Sequence, residues 1–142
     1  MEKQAGLLRF VKKLIHFRLS LPSHTQQHEM SLSELLQRAE IRWHGVRLNQ
    51  PDWSDASHVV SATVQGLDHW LHLLFNAYWE PLTFELPTPP LGGESGWRRI
   101  VDTYRESPED FCDPQEAPQV SGLSYRTAPR SVVFLLAEVA SV

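Results

Sequence analysis

A chain of 142 residues with 42% apolar and 21% charged side chains has room for one domain with a real core, and that composition is ordinary for a globular protein. The net charge of −4 is uneven, because Lys3, Arg9, Lys12, Lys13 and Arg18 stand against Glu2 in residues 1–18, leaving 8 basic against 16 acidic residues beyond. So acidic a body repels phosphate backbones, which excludes nucleic acid as the partner of the whole module.

Ten prolines and seven glycines favour an all-β body over a helical bundle. A single cysteine, Cys112, excludes an internal disulfide and fits a reducing compartment, with the cytoplasm as the expected location. No run approaches the ~18 apolar residues of a membrane span. Arg9, Lys12 and Lys13 interrupt what would be the apolar core of a secretory leader.

Residues 5–21 read as one amphipathic helix. Leu7, Phe10, Leu14, Phe17 and Leu21 recur at three- and four-residue spacing, with Leu8, Val11, Ile15 and Leu19 alongside and Arg9, Lys12, Lys13, His16 and Ser20 opposite. Pro22 ends it. So wide an apolar stripe asks for cover on more than one side. The expected cover is the chain's own body, a parent protein's core or a second copy, rather than lipid, since the basic side is small. Residues 23–38 are polar, with Ser31 and Ser33 as candidate caps of a short helix through Glu34, Leu35, Leu36 and Arg38.

From residue 40 the rhythm becomes that of strands. Residues 40–44 are a short extended candidate. Residues 41–55 are then expected to bring the chain into a sandwich at Trp43, to turn it at Pro51-Asp52 and to seal a surface with Trp53. In 58–64, Val60, Ala62 and Val64 alternate with Val59, Ser61 and Thr63. Residues 69–77 set Leu71, Leu73 and Phe75 on one side and Trp70, His72, Leu74 and Asn76 on the other; two largely apolar faces mark a central strand. Pro81 opens an edge strand over 82–86. After a loop at 87–96, a strand is expected over 97–103, an acidic loop over 107–119 and a strand over 120–126. The last strand, 131–139, is apolar on both faces and hence central. Six or seven short strands predict a mainly β fold, an antiparallel β-sandwich preceded by an N-terminal amphipathic helix. The chain divides into a helical segment with linker, 1–38, and a sandwich domain, 39–142.

Catalytic patterns are sparse. A zinc site wants three or four converging ligands. His24 and His28 lie in a segment of doubtful helicity, His69 and His72 fall on opposite faces of a strand, and Cys112 has no CxxC partner. The predicted metal set is therefore empty. Asp102, Glu106, Glu109, Asp110, Asp113 and Glu116 gather around the long loop, where nothing apolar would raise a carboxyl pKa, and they read as a solvated surface. Neither a GxSxG nor a phosphate-binding glycine loop occurs, so the predicted catalytic set is empty too. Aromatics remain. Trp70 and Trp97 fall in core phases, while Trp53 in its turn and Tyr78 and Trp79 at a strand end are the candidate carbohydrate-binding residues.

One ordered series ties these residues together. Trp43-His44-Gly45, Gln50-Pro51-Asp52-Trp53-Ser54, Asn76-Ala77-Tyr78-Trp79, Phe84-Glu85-Leu86-Pro87, Trp97 with Val101-Asp102-Thr103, and Pro129-Arg130-Ser131-Val132-Val133 follow in that order. The series resembles the C-terminal end of bacterial glycogen debranching enzymes of the isoamylase type, in the α-amylase superfamily (glycoside hydrolase family 13). Leu14-Ile15-His16-Phe17-Arg18 followed by Pro22 is similar to the last helix of that family's catalytic barrel. Residues 23–29 depart from the pattern, carrying neither the aromatic nor the basic residues that family members usually have there.

The resemblance implies an α-amylase C-terminal-type sandwich and a parent that hydrolyses α-1,6 branch linkages in glycogen without a cofactor. The family's catalytic aspartates and glutamate all lie on the barrel, upstream of the matching residues. The leading expectation is a non-catalytic domain, its partner the parent's barrel or a second copy through the helix. The alternatives are a glucan-binding module using Trp53, Tyr78 and Trp79, and an interaction protein docking through its helix.

Overall fold

The computed structural model describes residues 2–20, 40–66, 68–90 and 96–139. The expected helix after Ser31 or Ser33, His24 and His28, and the departure at 23–29 lie outside these.

A helix α1 (Glu2–Ser20) precedes seven strands: β1 (Glu40–His44), β2 (Val59–Gln65), β3 (His69–Asn76), β4 (Leu82–Glu85), β5 (Arg98–Asp102), β6 (Ser124–Thr127) and β7 (Ser131–Glu138). Five form an antiparallel sheet in the order β1-β2-β3-β7-β5, and β4 pairs with β6 in a second sheet. This is the expected antiparallel sandwich, with β3 and β7 central and β4 at an edge. The expected strand at 120–126 is shorter and shifted. Val120 N donates to Trp97 O and Gln119 bridges to Arg98, so residues 119–120 follow β5 and only Ser124–Thr127 pairs with β4.

Period two sorts the side chains of the large sheet. Leu74, Val133, Leu135 and Ala137 point inward against Phe84, Leu86 and Trp97, with Trp70, Leu82 and Tyr125 at the margin. Outward point Leu71, Phe134 and Leu136, and on them sits α1 through Phe10, Leu14 and Phe17 with Phe111 between. The Phe111 ring meets Phe10 and Phe17 edge-on at 5.9 and 6.0 Å. The helix therefore folds back onto its own body, one of the three covers its stripe allowed.

Docking uses only half the stripe. Leu7, Leu8, Val11, Ile15 and Leu19 stay exposed along the rest of the helix. Beyond the helix, Val60, Val64, Leu73, Phe75 and Val132 on the outer sheet face are half-buried.

The acidic loop is the expected solvated surface at Glu106, Glu109 and Glu116, which are exposed, but two of its aspartates are engaged by the helix. Arg9 bonds Asp110 Oδ1 at 3.0 Å and donates to the carbonyls of Pro108 and Phe111, while Lys13 pairs with Asp113 at 3.1 Å. The charge asymmetry explains this, because the basic side of the helix needs an acidic seat, and the loop 103–123 supplies it.

Trp43 lies in β1, where the chain enters the sandwich as expected. Its register partner is Ala62 on the outer face, so it stands outside the sandwich, half exposed, and His44 takes the inward position opposite Ser61. Gly45 follows where the chain turns tightly; a Cβ there would come 2.5 Å from the Gln50 carbonyl oxygen.

Candidate functional site

The register brings the start of β2, the end of β3, the start of β7 and the end of β5 to one end of the sandwich, since Asn76 lies opposite both Val59 and Ser131 while Asp102 lies opposite Val133. The loops 45–58, 77–81, 103–123 and 128–130 therefore cluster there.

Asn76 organises this end. Its buried amide Nδ2 donates to Glu80 O at 3.0 Å, Thr127 Oγ1 at 3.2 Å and Ala128 O at 3.1 Å, and its Oδ1 accepts from Tyr78 N–H at 2.9 Å. The Thr127 hydroxyl in turn donates to Leu82 O at 3.0 Å. One side chain thus ties 77–80 to the turn at 128–130, and Arg130 N–H closes the tie on Tyr78 O at 3.1 Å. Arg130 pays backbone strain for this, at φ 50 in the left-handed region.

Of the three expected carbohydrate residues, the structure joins two. The half-buried Tyr78 ring stacks on His58 (6.1 Å, 16° between planes) and meets Trp79 at 5.5 Å. Trp79 is 62% exposed. Trp53, 67% exposed, packs edge-on against Trp43 at 5.6 Å, on the outer sheet face. Among the described residues no ring contact joins this pair to Tyr78 or Trp79. Asp52 shapes the Trp53 turn by accepting from Ser54 N–H, and its hydrogen bonds with Ser54 hold its carboxyl below the usual range.

A shallow groove of about 250 Å³ opens beside the Asn76 tie, lined by Pro81, Tyr104, Arg126, Thr127, Ala128 and Pro129. Tyr104 follows β5 in a turn where its N–H donates to Asp102 Oδ1, while Asp102 Oδ2 accepts from Tyr125 O–H at 2.7 Å. Burial, with this bond to Asp102, raises the Tyr125 pKa. Asp102 is thereby a structural acceptor, its two oxygens spent on a turn, a half-buried phenol and the Arg105 guanidinium at 3.6 Å. Tyr104 and Arg126 were missed in the sequence, where their one signal is an aromatic after a strand-ending Asp and an Arg in the outward phase of a short strand.

Inside the sandwich runs a polar chain. Asn49 N–H donates to His44 Nδ1 at 2.8 Å, His44 Nε2 meets Thr63 Oγ1 at 2.9 Å, and Thr63 Oγ1 meets His72 Nδ1 at 2.9 Å. The first bond fixes the rest: His44 Nε2–H donates to Thr63, Thr63 donates to His72 Nδ1, and the His72 proton sits on Nε2. His72 Nε2 is buried without a partner among the described residues. Burial, then the charge of His44, lowers the His72 pKa to about 3. His44 is lowered by burial and by Arg42. Among the described residues no three His, Cys, Asp or Glu side chains converge as metal ligands would.

The sandwich and this loop cluster fall within one known class. Residues 42–139, from β1 to the end of β7, match the family model described as isoamylase 1-3, C-terminal, and the chain belongs to that family. It is similar to isoamylase SU1, chloroplastic, of Zea mays (30% identical over 113 residues, 78% of this chain and 13% of that protein). It is also similar to isoamylase 3, chloroplastic, of Oryza sativa subsp. japonica (29% over 137 residues, 96% and 16%) and to isoamylase 1, chloroplastic, of Arabidopsis thaliana (27% over 114 residues, 80% and 13%). The chain thus spans between 13% and 16% of the length of these relatives. The isoamylase resemblance drawn from the motif series holds, whereas these plant proteins carry neither its bacterial subgroup nor a cytoplasmic location. Among the described residues no helix is long and apolar enough to cross a membrane.

Proposed function

We propose that this chain is the non-catalytic C-terminal domain of an isoamylase-type debranching enzyme, seated against the catalytic barrel by α1 and the outer face of the five-stranded sheet. The barrel hydrolyses α-1,6 branch linkages in glycogen or a related glucan, and the domain covers and steadies it. One observation carries the reading: α1 docks by half its stripe and leaves Leu7 65% and Ile15 54% exposed, on the same outer sheet face that carries the exposed Trp43 and its ring partner Trp53. An apolar surface of that extent is the mark of an interface. The single Cys112 supports a reducing compartment, the cytoplasm on the sequence reading. The test is an assay of the pure chain on branched glucan. No linear chains should be released, and their release would overturn the proposal.

The aromatic end favours a second role compatible with the first, in which Tyr78 and Trp79 hold glucan. Its support is Trp79, largely exposed yet braced by Tyr78, whose ring is itself stacked on His58. Trp53 falls to the docking surface instead, since its partner Trp43 stands there. Glycogen pull-down of the wild type against Trp79→Ala decides it: binding that survives the substitution removes Trp79 from the site.

A further inference from the structure

We infer that the groove walled by Pro81, Tyr104, Arg126 and Pro129 is an α-glucan subsite, with Tyr104 carrying the face of a glucose ring and Arg126 donating to its hydroxyls. The ligand class rests on the isoamylase reading above, while the site itself comes from the fold.

Tyr104 is 68% exposed. Yet its backbone is held firmly, since its N–H is bound by Asp102 Oδ1, the Arg105 N–H bonds Asp102 O at 3.1 Å, and Thr103 N–H bonds Val132 O at 3.0 Å. An aromatic on a fixed turn offers an apolar face at little entropic cost, which is what the flat side of a sugar ring needs. Arg126 stands opposite Thr83 in the outward phase of β6, exposed, with no hydrogen bond or ion pair to the described residues. Its five N–H donors are therefore free for ring hydroxyls.

The walls are equally fixed. Pro81 follows Glu80, whose carbonyl Asn76 holds, and Pro129 follows Ala128, whose carbonyl the same amide holds. The strained φ of Arg130 lies in that turn, where backbone strain often marks a functional surface. At about 250 Å³ the groove falls below the ~300–1,000 Å³ of an enclosing ligand pocket. It suits one or two residues of a polymer that continues over the surface. The net charge of −4 argues for a neutral ligand over an anionic one.

Calorimetric titration with maltoheptaose, with cellohexaose as the β-linked control, tests the inference on the whole chain. Wild type should bind maltoheptaose in preference to cellohexaose. Tyr104→Ala should weaken binding at least tenfold and Arg126→Ala at least threefold, while Lys12→Ala, on the helix, changes nothing. Thermal midpoints should stay level, because neither variant removes a hydrogen bond of the fold. Failure of wild type to bind maltoheptaose overturns the inference, as does binding by Tyr104→Ala and Arg126→Ala equal to wild type. Loss on Trp79→Ala with Tyr104→Ala unaffected moves the ligand to the aromatic corner and overturns it too. Debranching by the isolated chain would refute the domain's non-catalytic role, a result independent of where maltoheptaose binds.

Discussion

Acid should destabilise this sandwich through His72 well before its carboxylates titrate. In the folded chain the imidazole is fully buried, accepts from Thr63 at Nδ1 and has its pKa pushed down to about 3, whereas an unfolded histidine titrates near 6.5. Below that upper value the unfolded chain takes up a proton that the folded chain refuses. Stability is therefore whole above about pH 6.5 and falls with pH by about 1.4 kcal/mol per unit for this group. At pH 5 the loss is about 2 kcal/mol, and the full gap down to the folded value amounts to about 5 kcal/mol. That is a large share of a small domain's stability.

The charges facing His72 do not reverse this. His44 reaches it through Thr63 and is itself lowered, and Trp97 fills the space beside it at 5.7 Å. Urea unfolding of wild type and His72→Leu between about pH 7.5 and 5 gives the assay. The substitution leaves Thr63 without its acceptor and should cost about 1–3 kcal/mol near neutrality. Its signature is the slope, which should flatten by about one proton below pH 6.5. Parallel pH slopes for the two proteins would refute the reasoning.

Three further outcomes follow from the same geometry. Asn76→Ala should cost about 3 kcal/mol, because it leaves the Glu80 carbonyl and the Tyr78 N–H without their partner and takes one of two donors from the Ala128 carbonyl, which keeps Ser131; hydrogen exchange should rise at 77–81 and 128–130 together, and a rise in only one of them would contradict a shared tie. Gly45→Ala should cost about 1–3 kcal/mol by driving a methyl into the Gln50 carbonyl, read as a lower urea midpoint with unchanged slope. Arg9→Ala should loosen α1 and expose it to protease, whereas Lys13→Ala, whose pair is more open to water, should change stability by about 0–1 kcal/mol.

The β-body was legible because period two is strong wherever both faces of a strand are packed. Residues 69–77 and 131–139 were readable as central from their double apolar faces, and Pro81 marked an edge. At β1 the rule settles nothing until both faces of the sheet are known. Ile41 and Trp43 share one phase and His44 the other, which points the apolar phase inward on any sheet with a single apolar face. This sheet is apolar on both, and the polar chain from His44 to His72 occupies the inner side instead. The acidic loop hid its function because ion pairs about one hundred residues apart, Arg9 with Asp110 and Lys13 with Asp113, leave no local pattern. Trp53, Tyr78 and Trp79 were candidates by residue type and by their places in a turn and at a strand end; only the ring contact shows that Trp53 belongs with Trp43. Tyr104 and Arg126 sit on different strands' ends, and nothing in their spacing announces a shared groove.

The central claim is that the uncovered half of α1 and the Trp43–Trp53 pair form the seat of a catalytic barrel. Co-expression of this chain with an isoamylase barrel deprived of its own C-terminal region tests it most directly. Wild type should co-purify with the barrel, while a chain carrying Ile15→Glu and Trp43→Ala should fold normally and stay behind. Equal recovery of both chains with the barrel would contradict the account.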